Sequence, residues 1–247
     1  MNKKLLIYQI ACLALSATVV FLAWKLSDAT ESTNTDQPSN STVTEESASQ
    51  ESFVIENSVQ DSIALNKPTE NQNPSLYVAL QNRKTVRSFS DQLLSDQQIS
   101  NLLWSACGVN REDGKLTSPT ARNAQEIEAY LFTPKAIYYY QKESHSLKLY
   151  KEGDFRAKAG NQAFFATAPV AIALVGNFLK MENFDEEGKQ FYSATDVGYV
   201  SQDIYLYCAA DGLATVACGN IDRPAILEVL ELKDAKPLLS HPIGYEQ

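Results

Sequence analysis

Apolar positions fall along this chain in three regimes. From Leu5 to Trp24 the sequence is uncharged and mostly apolar, with Lys3 and Lys4 before it and Lys25 after it. Twenty helical residues at about 1.5 Å each reach roughly 30 Å, the thickness of a bilayer core. From Ser27 to about Asn73 the chain is rich in Ser, Thr, Asn, Gln and Glu and shows little periodicity. Such a stretch buries too little apolar area to offset its ordering entropy. From about Pro74 to Gln247 helical and strand periods alternate, as in a folded domain. The expected organisation is therefore 1–26 a membrane-spanning or signal segment, 27–73 an acidic disordered linker, and 74–247 the domain. Within the linker, Ser52-Phe53-Val54-Ile55 is the one apolar cluster able to dock; a spacer is the preferred reading.

In the domain, Ser75 caps a first helix carrying Leu76, Ala79 and Leu80 and running out near Arg83. Ser95-Asp96-Gln97-Gln98 reads as a capping box ahead of Ile99, Leu102, Leu103 and Ala106, with Gly108 placed to end the helix. Strand-like runs follow at 128–133, 136–141 and 146–150, and Pro169 to Val175 has the continuous apolar character of a central strand. Helical spacing returns from Asp196 to Gly212, a short strand is expected at 215–218, Asp222 caps a last helix, and the chain ends extended from Leu238 to Tyr245. Helices and meandering strands mix without regular βαβ alternation, so the fold class is α+β.

The formal net charge of −9 changes this picture little once it is located. Nine carboxylates lie between Leu26 and Ser75 against Lys67 alone. Without that stretch and the three N-terminal lysines, 21 acids face 17 bases. No basic stripe suited to nucleic acid is present. The cysteines, Cys12, Cys107, Cys208 and Cys218, form no CxxC pair, and His145 and His241 lack metal-ligand spacing, which argues against disulfide scaffolds and zinc.

Three clusters carry candidate chemistry. Arg83-Lys84-Thr85-Val86-Arg87 gathers three cations and a hydroxyl, the donors a dianionic phosphate needs. Taken alone, a short basic run after a helix is more often solvated surface. Ser118 to Gln125 joins small residues and a proline to Asn and Gln amides, which can pair with a ring edge that both donates and accepts. An ordinary loop has the same composition. Gly212 to Asn220 includes Gly219, which permits positive φ and a close backbone approach, although plain helix-to-strand connections look alike.

The order of these clusters resembles the nitroreductase family of FMN-dependent oxidoreductases. The R-R-S-x-R-x-F-like segment is matched by Arg83 to Phe89, and the P-S-x-x-N-x-Q-like loop by Pro119 to Gln125. The A-P-V strand is matched by Ala168-Pro169-Val170. The D-x-G-x-x-x-Q-x-x-x-L-x-A helix is matched by Asp196, Gly198, Gln202, Leu206 and Ala209, with Gly212-Leu213 after it, and a G-Y ending by Gly244-Tyr245. The compact branch that includes azoline oxidases looks closer than the longer enzymes. The resemblance implies a mixed sheet flanked by helices and an intertwined homodimer with flavin at the subunit interface, the 196–212 helix forming dimer core. It implies that Arg83, Lys84 and Thr85 hold the FMN phosphate and ribityl chain with Arg87 close by. Pro119, Thr120, Ala121 and Asn123 lie along the ring edge with Gln125 in support, and backbone groups of Cys218 and Gly219 face N5 and O4. Two departures stand out. Longer members add C-terminal Lys and Arg that are missing here, which points to other cations such as Arg156 or Lys158, and Arg122 replaces a small residue.

The function implied is ping-pong transfer of hydride or electrons between a donor and a flat organic acceptor such as a nitroaromatic, a quinone or an azoline, with NAD(P)H as a possible donor and no catalytic side chain required. The rival is a membrane-tethered flavin-binding sensor or accessory module without turnover. Lysines before the apolar span and acids after it favour a domain outside the cytoplasm. Cleavage at Ser27-Asp28-Ala29 is the alternative and gives a secreted or periplasmic protein.

Overall fold

In the computed structural model, residues 52–69 and 75–247 are described. The expected N-terminal span, its cleavage site and the rest of the expected linker lie outside those residues. Among the described residues no helix is long and apolar enough to cross a membrane.

Among the described residues the sheet has seven strands: β1 Ser62–Ala64, β2 Ile127–Phe132, β3 Ala136–Gln141, β4 Ser146–Glu152, β5 Val170–Asn177, β6 Ala214–Thr215 and β7 Ala235–Gly244. Their order is β1-β4-β3-β2-β5-β7-β6. Every pairing is antiparallel, so the mixed sheet expected above is corrected to an antiparallel one; the α+β class stands. β2 and β5 are buried along both faces, because each side of the sheet carries its own apolar layer. One layer joins the sheet to α3 (Asp96–Cys107) and α4 (Glu186–Ala210). The other holds Val86, Phe89, Phe132, Phe165 and Ile226, the last from α5 (Arg223–Val229).

The linker expectation fails for residues 52–69. Phe53 leads into the short helix α1, Val54–Asn57, whose Ile55 is buried, and β1 pairs with the edge strand β4. Asp96 accepts the Val54 and Ile55 N–H groups at 3.0 and 2.9 Å, and Glu56 accepts the Leu94 N–H at 2.7 Å. This strap belongs to the domain. Its few apolar side chains suffice because carboxylates capture the backbone donors that a polar sequence leaves open.

The α2 helix, Leu76–Asn82, begins at Ser75, and α3 carries the full Ser95–Gln98 capping box. α4 starts ten residues before the expected Asp196, at an Asp185 side chain that accepts the Gly188 N–H, with Glu186 and Glu187 in its first turn. Val197, Val200, Ile204 and Cys208 of α4 are buried within the single chain, so they form the protomer's own core rather than a dimer core. Exposed apolar groups include Leu76, Tyr77 and Leu80 of α2 and Phe191, Tyr192 and Tyr199 of α4.

Candidate functional site

The first and third clusters meet at Tyr205. Leaving α2, residues 83–87 run alongside β6, and the Val86 N–H donates to Thr215 O at 3.0 Å. Thr85 Oγ1 lies 3.1 Å from Tyr205 Oη, and the Arg83 guanidinium stands 5.2 Å from the centre of the Tyr205 ring. The same phenol oxygen accepts the Ala217 N–H at 2.9 Å. One side chain on α4 thereby links the basic segment to the turn that holds Cys218 and Gly219. That turn is pinned by paired backbone hydrogen bonds between Cys218 and Ser240. Tyr205 was not singled out from sequence; its position opposite the Asp196 face of α4 was the available signal.

Arg83 and Arg87 have no carboxylate partner among the described residues. Lys84 is placed differently from its expected role: its ammonium pairs with Glu246. The suggested extra cation Arg156 is also committed, to both carboxylate oxygens of Asp154 and to the Ala168 carbonyl at 2.7 Å. Lys158 remains exposed. Arg223, outside all three sequence clusters, donates to Gly219 O at 3.2 Å and to Pro237 O at 3.0 Å. Gly219 does not use positive φ; Gly212 does, at 69°, where α4 ends with the Leu213 N–H bonded to Cys208 O. Burial pushes the Cys218 thiol up more than the Arg87 charge draws it down, which makes it a poor nucleophile.

A buried polar chain braces this junction. The Thr215 hydroxyl donates to Pro242 O at 2.9 Å, so at 3.1 Å it accepts the Nδ1 proton of His241. His241 Nε2, 2.9 Å from Ser201 Oγ, is left as an acceptor. Burial lowers the His241 pKa to about 3, so the imidazole is neutral and structural.

The second cluster is placed apart from the other two. Ala121 N–H donates to Asp196 Oδ2 at 2.8 Å, and Asp196 stands nine residues before Tyr205 on α4. That spacing is about 13 Å along the axis and half a turn around it. Within this loop Arg122, Asn123 and Gln125 have φ of 52°, 56° and 53°. Thr120 Oγ1 accepts the Gln125 N–H, and Arg122 reaches Asn183 O while lying 4.7 Å from the centre of the Phe184 ring. Pro119 is exposed and Thr120 half-buried. The three candidate clusters therefore fall into two groups on opposite sides of α4.

The donor set around Tyr205 fits a phosphate-bearing cofactor: two guanidinium groups with no carboxylate partner among the described residues and a hydroxyl lie beside backbone from an open turn. The adjoining cavity, lined by Asn82, Lys84, Tyr205, Gly212 and Thr215, encloses about 240 Å³. Ligand sites usually enclose about 300–1,000 Å³, so this cavity is smaller than a typical ligand site.

The nitroreductase family model matches residues 80–245, and the chain belongs to that family. A nitroreductase-family protein of Methanocaldococcus jannaschii is 29% identical over 172 residues, covering 66% of this chain and 86% of that protein. A nitroreductase-family crystal structure from Ralstonia eutropha superposes with a TM-score of 0.73 at 33% identity, over 76% of this chain and 90% of that one. The NADPH:FMN oxidoreductase of Vibrio harveyi shares the fold at 17% identity, with a TM-score of 0.53 over 70% of this chain and 69% of that one.

Proposed function

We propose that this chain is an FMN-dependent oxidoreductase that works as a homodimer, each flavin held by half-sites from two subunits. The observation that carries this reading is the Tyr205 junction, which leaves Arg83 and Arg87 unpaired beside the Cys218-Gly219 turn while the Pro119–Gln125 loop faces the other side of α4. Arg83, Thr85 and Arg87 would hold the phosphate and ribityl chain, and Lys84 joins them only by leaving Glu246. Backbone groups at Cys218 and Gly219 would meet the ring near N5 and O4. Pro119, Thr120, Ala121, Asn123 and Gln125 of a second copy would line its far edge. FMN held by these residues would supply the redox chemistry of transfer between a donor and an acceptor. The protein's own contribution is to fix the ring, to place cations near its polar edge and to shield it from water.

The acceptor would be a flat organic molecule of the nitroaromatic, quinone or azoline type. NAD(P)H as donor depends on where the domain resides. The charge asymmetry around Leu5–Trp24 supports an extracytoplasmic domain, where such donors are scarce. A reporter fused after Gln247 that is active only in the cytoplasm would reverse this assignment.

Subunit mixing tests the shared site. Arg83→Ala damages the phosphate half and Ala121→Glu the ring-edge half. Neither protein should hold FMN alone, and an equal mixture should recover about a quarter of the wild-type sites, because mixed dimers each contain one intact pair of halves. No recovery from a mixture shown to exchange subunits would contradict the arrangement.

A further inference from the structure

The loop from Ser118 to Gln125 is attached to α4 by contacts whose protons do not balance if every acid is ionised. Ser118 Oγ lies 2.6 Å from Ala106 O and also 2.6 Å from Asp203 Oδ2. A hydroxyl has one proton, and a carbonyl and a carboxylate are both acceptors. The geometry closes when Asp203 keeps its own proton. It then donates to Ser118 Oγ, while Ser118 donates to Ala106 O, a carbonyl in the last turn of α3, where the helix cannot satisfy its own acceptors.

Seven residues earlier on the same face of α4, Asp196 Oδ2 accepts the Ala121 N–H. Beside Asp196, Glu126 is fully buried, and among the described residues its carboxyl oxygens accept from no other residue, only its own backbone N–H favouring the charge locally. An ionised carboxylate in that position would be strongly disfavoured. A proton on Glu126, given to Asp196, removes one of two adjacent buried charges and leaves Asp196 able to accept from Ala121. Burial pushes the Asp203 carboxyl up, and burial with the nearby Asp196 charge raises Glu126 to about 7. The loop needs such anchors, because three of its non-glycine residues hold left-handed φ, a region that L residues disfavour.

We propose that Asp203 and the Glu126–Asp196 pair are positioning residues that clamp the Ser118–Gln125 loop to α4 through carboxyl protons. The shape of the loop, and with it the ring-edge half of the cofactor site, then depends on pH. Its link to the cofactor rests on the function proposed above; the clamp itself does not.

Other charged groups around the clamp modulate it. The buried Lys142 ammonium donates to Ile127 O at 2.6 Å and Gln125 O at 3.3 Å, and its charge favours ionised Glu126. Lys180 pairs with Glu128 at 3.1 Å. Glu143 and the buried Cys107 thiol of α3 belong to the same electrostatic neighbourhood. On the 109–117 loop Arg111, Asp113 and Lys115 pair among themselves at the surface.

The test uses the full-length protein, first stripped of flavin, with amide exchange across residues 118–125 followed from pH 5.5 to 9.5. Wild-type protection, corrected for intrinsic exchange, should fall as pH rises. Asp203→Asn and Glu126→Gln together place permanent N–H donors where the acid protons stand, so this double variant should stay protected throughout. Asp203→Ala should lose about tenfold in protection even at pH 6, as expected for one buried hydrogen bond. Protection in the wild type that is flat with pH, or a double variant less protected than wild type at pH 6, would overturn the clamp. FMN titration at pH 6 and pH 9 then separates the two claims. Affinity that follows loop protection supports both, whereas a proton-dependent loop with unchanged FMN affinity keeps the clamp and removes the loop from the ring edge.

Discussion

Tyr205 shows how much one hydroxyl can organise. Its oxygen joins Thr85 to the Ala217 N–H, and its ring faces Arg83. Tyr205→Phe should weaken FMN binding about fivefold, since one net hydrogen bond is worth roughly 1 kcal/mol, with little change in Tm. Fluorescence titration with unchanged affinity would show that the junction does not organise the site. Two buried groups set opposite trends of stability with pH. The Glu56 carboxyl, buried with Oε2 unpartnered, is raised to about 7 from 4.5. Its contribution is therefore complete below pH 4.5 and lost as pH rises through 7. His241, lowered from 6.5 to about 3, contributes fully above pH 6.5 and loses that contribution as pH falls toward 3. Glu56→Gln should thus raise Tm at pH 8 and converge on wild type near pH 4.5. A variant less stable than wild type at pH 8 would contradict the buried-acid reading.

At the scale of elements, sequence signals with a local mechanism were legible. The Ser95–Gln98 capping box, the Asp222 cap and the strand at Ala136–Gln141 all appear as read. The first ten residues of α4 were not, because Glu186 to Thr195 is polar and largely exposed, and its helicity follows from the Asp185 cap and continuity with the buried half. The strap follows a related rule: the Ser52–Ile55 cluster is legible as able to dock, but the anchoring role of Glu56 and Asp96 depends on contacts distant in sequence. Gly108 stands where a conformational stop is expected, yet its φ is −78° and the real constraint is space. A Cβ there would stand 2.4 Å from Trp104 Cδ1 and 2.8 Å from Trp104 Cα. Gly108→Ala should cost about 1–3 kcal/mol through overpacking, read as a lowered midpoint in urea unfolding. An unchanged midpoint would mean that the α3 terminus relaxes freely.

For the whole molecule, the pattern of residues indicated a layered α+β domain but not the direction of its strands. Pairing is settled by contacts distant in sequence, such as β5 against β7. The motifs gave the site's composition, while its division across α4 emerged only when Ala121 was seen on Asp196 and Thr85 on Tyr205. The most direct measurement of the central claim is the visible spectrum of the purified full-length protein, before and after anaerobic addition of NADH or a chemical reductant. The account predicts the two-banded absorption of oxidised flavin, bleached on reduction and restored by a nitroaromatic or quinone acceptor, and largely absent from Arg83→Ala. A colourless protein that takes up no added FMN, or an Arg83→Ala variant that binds it with unchanged affinity, would contradict it.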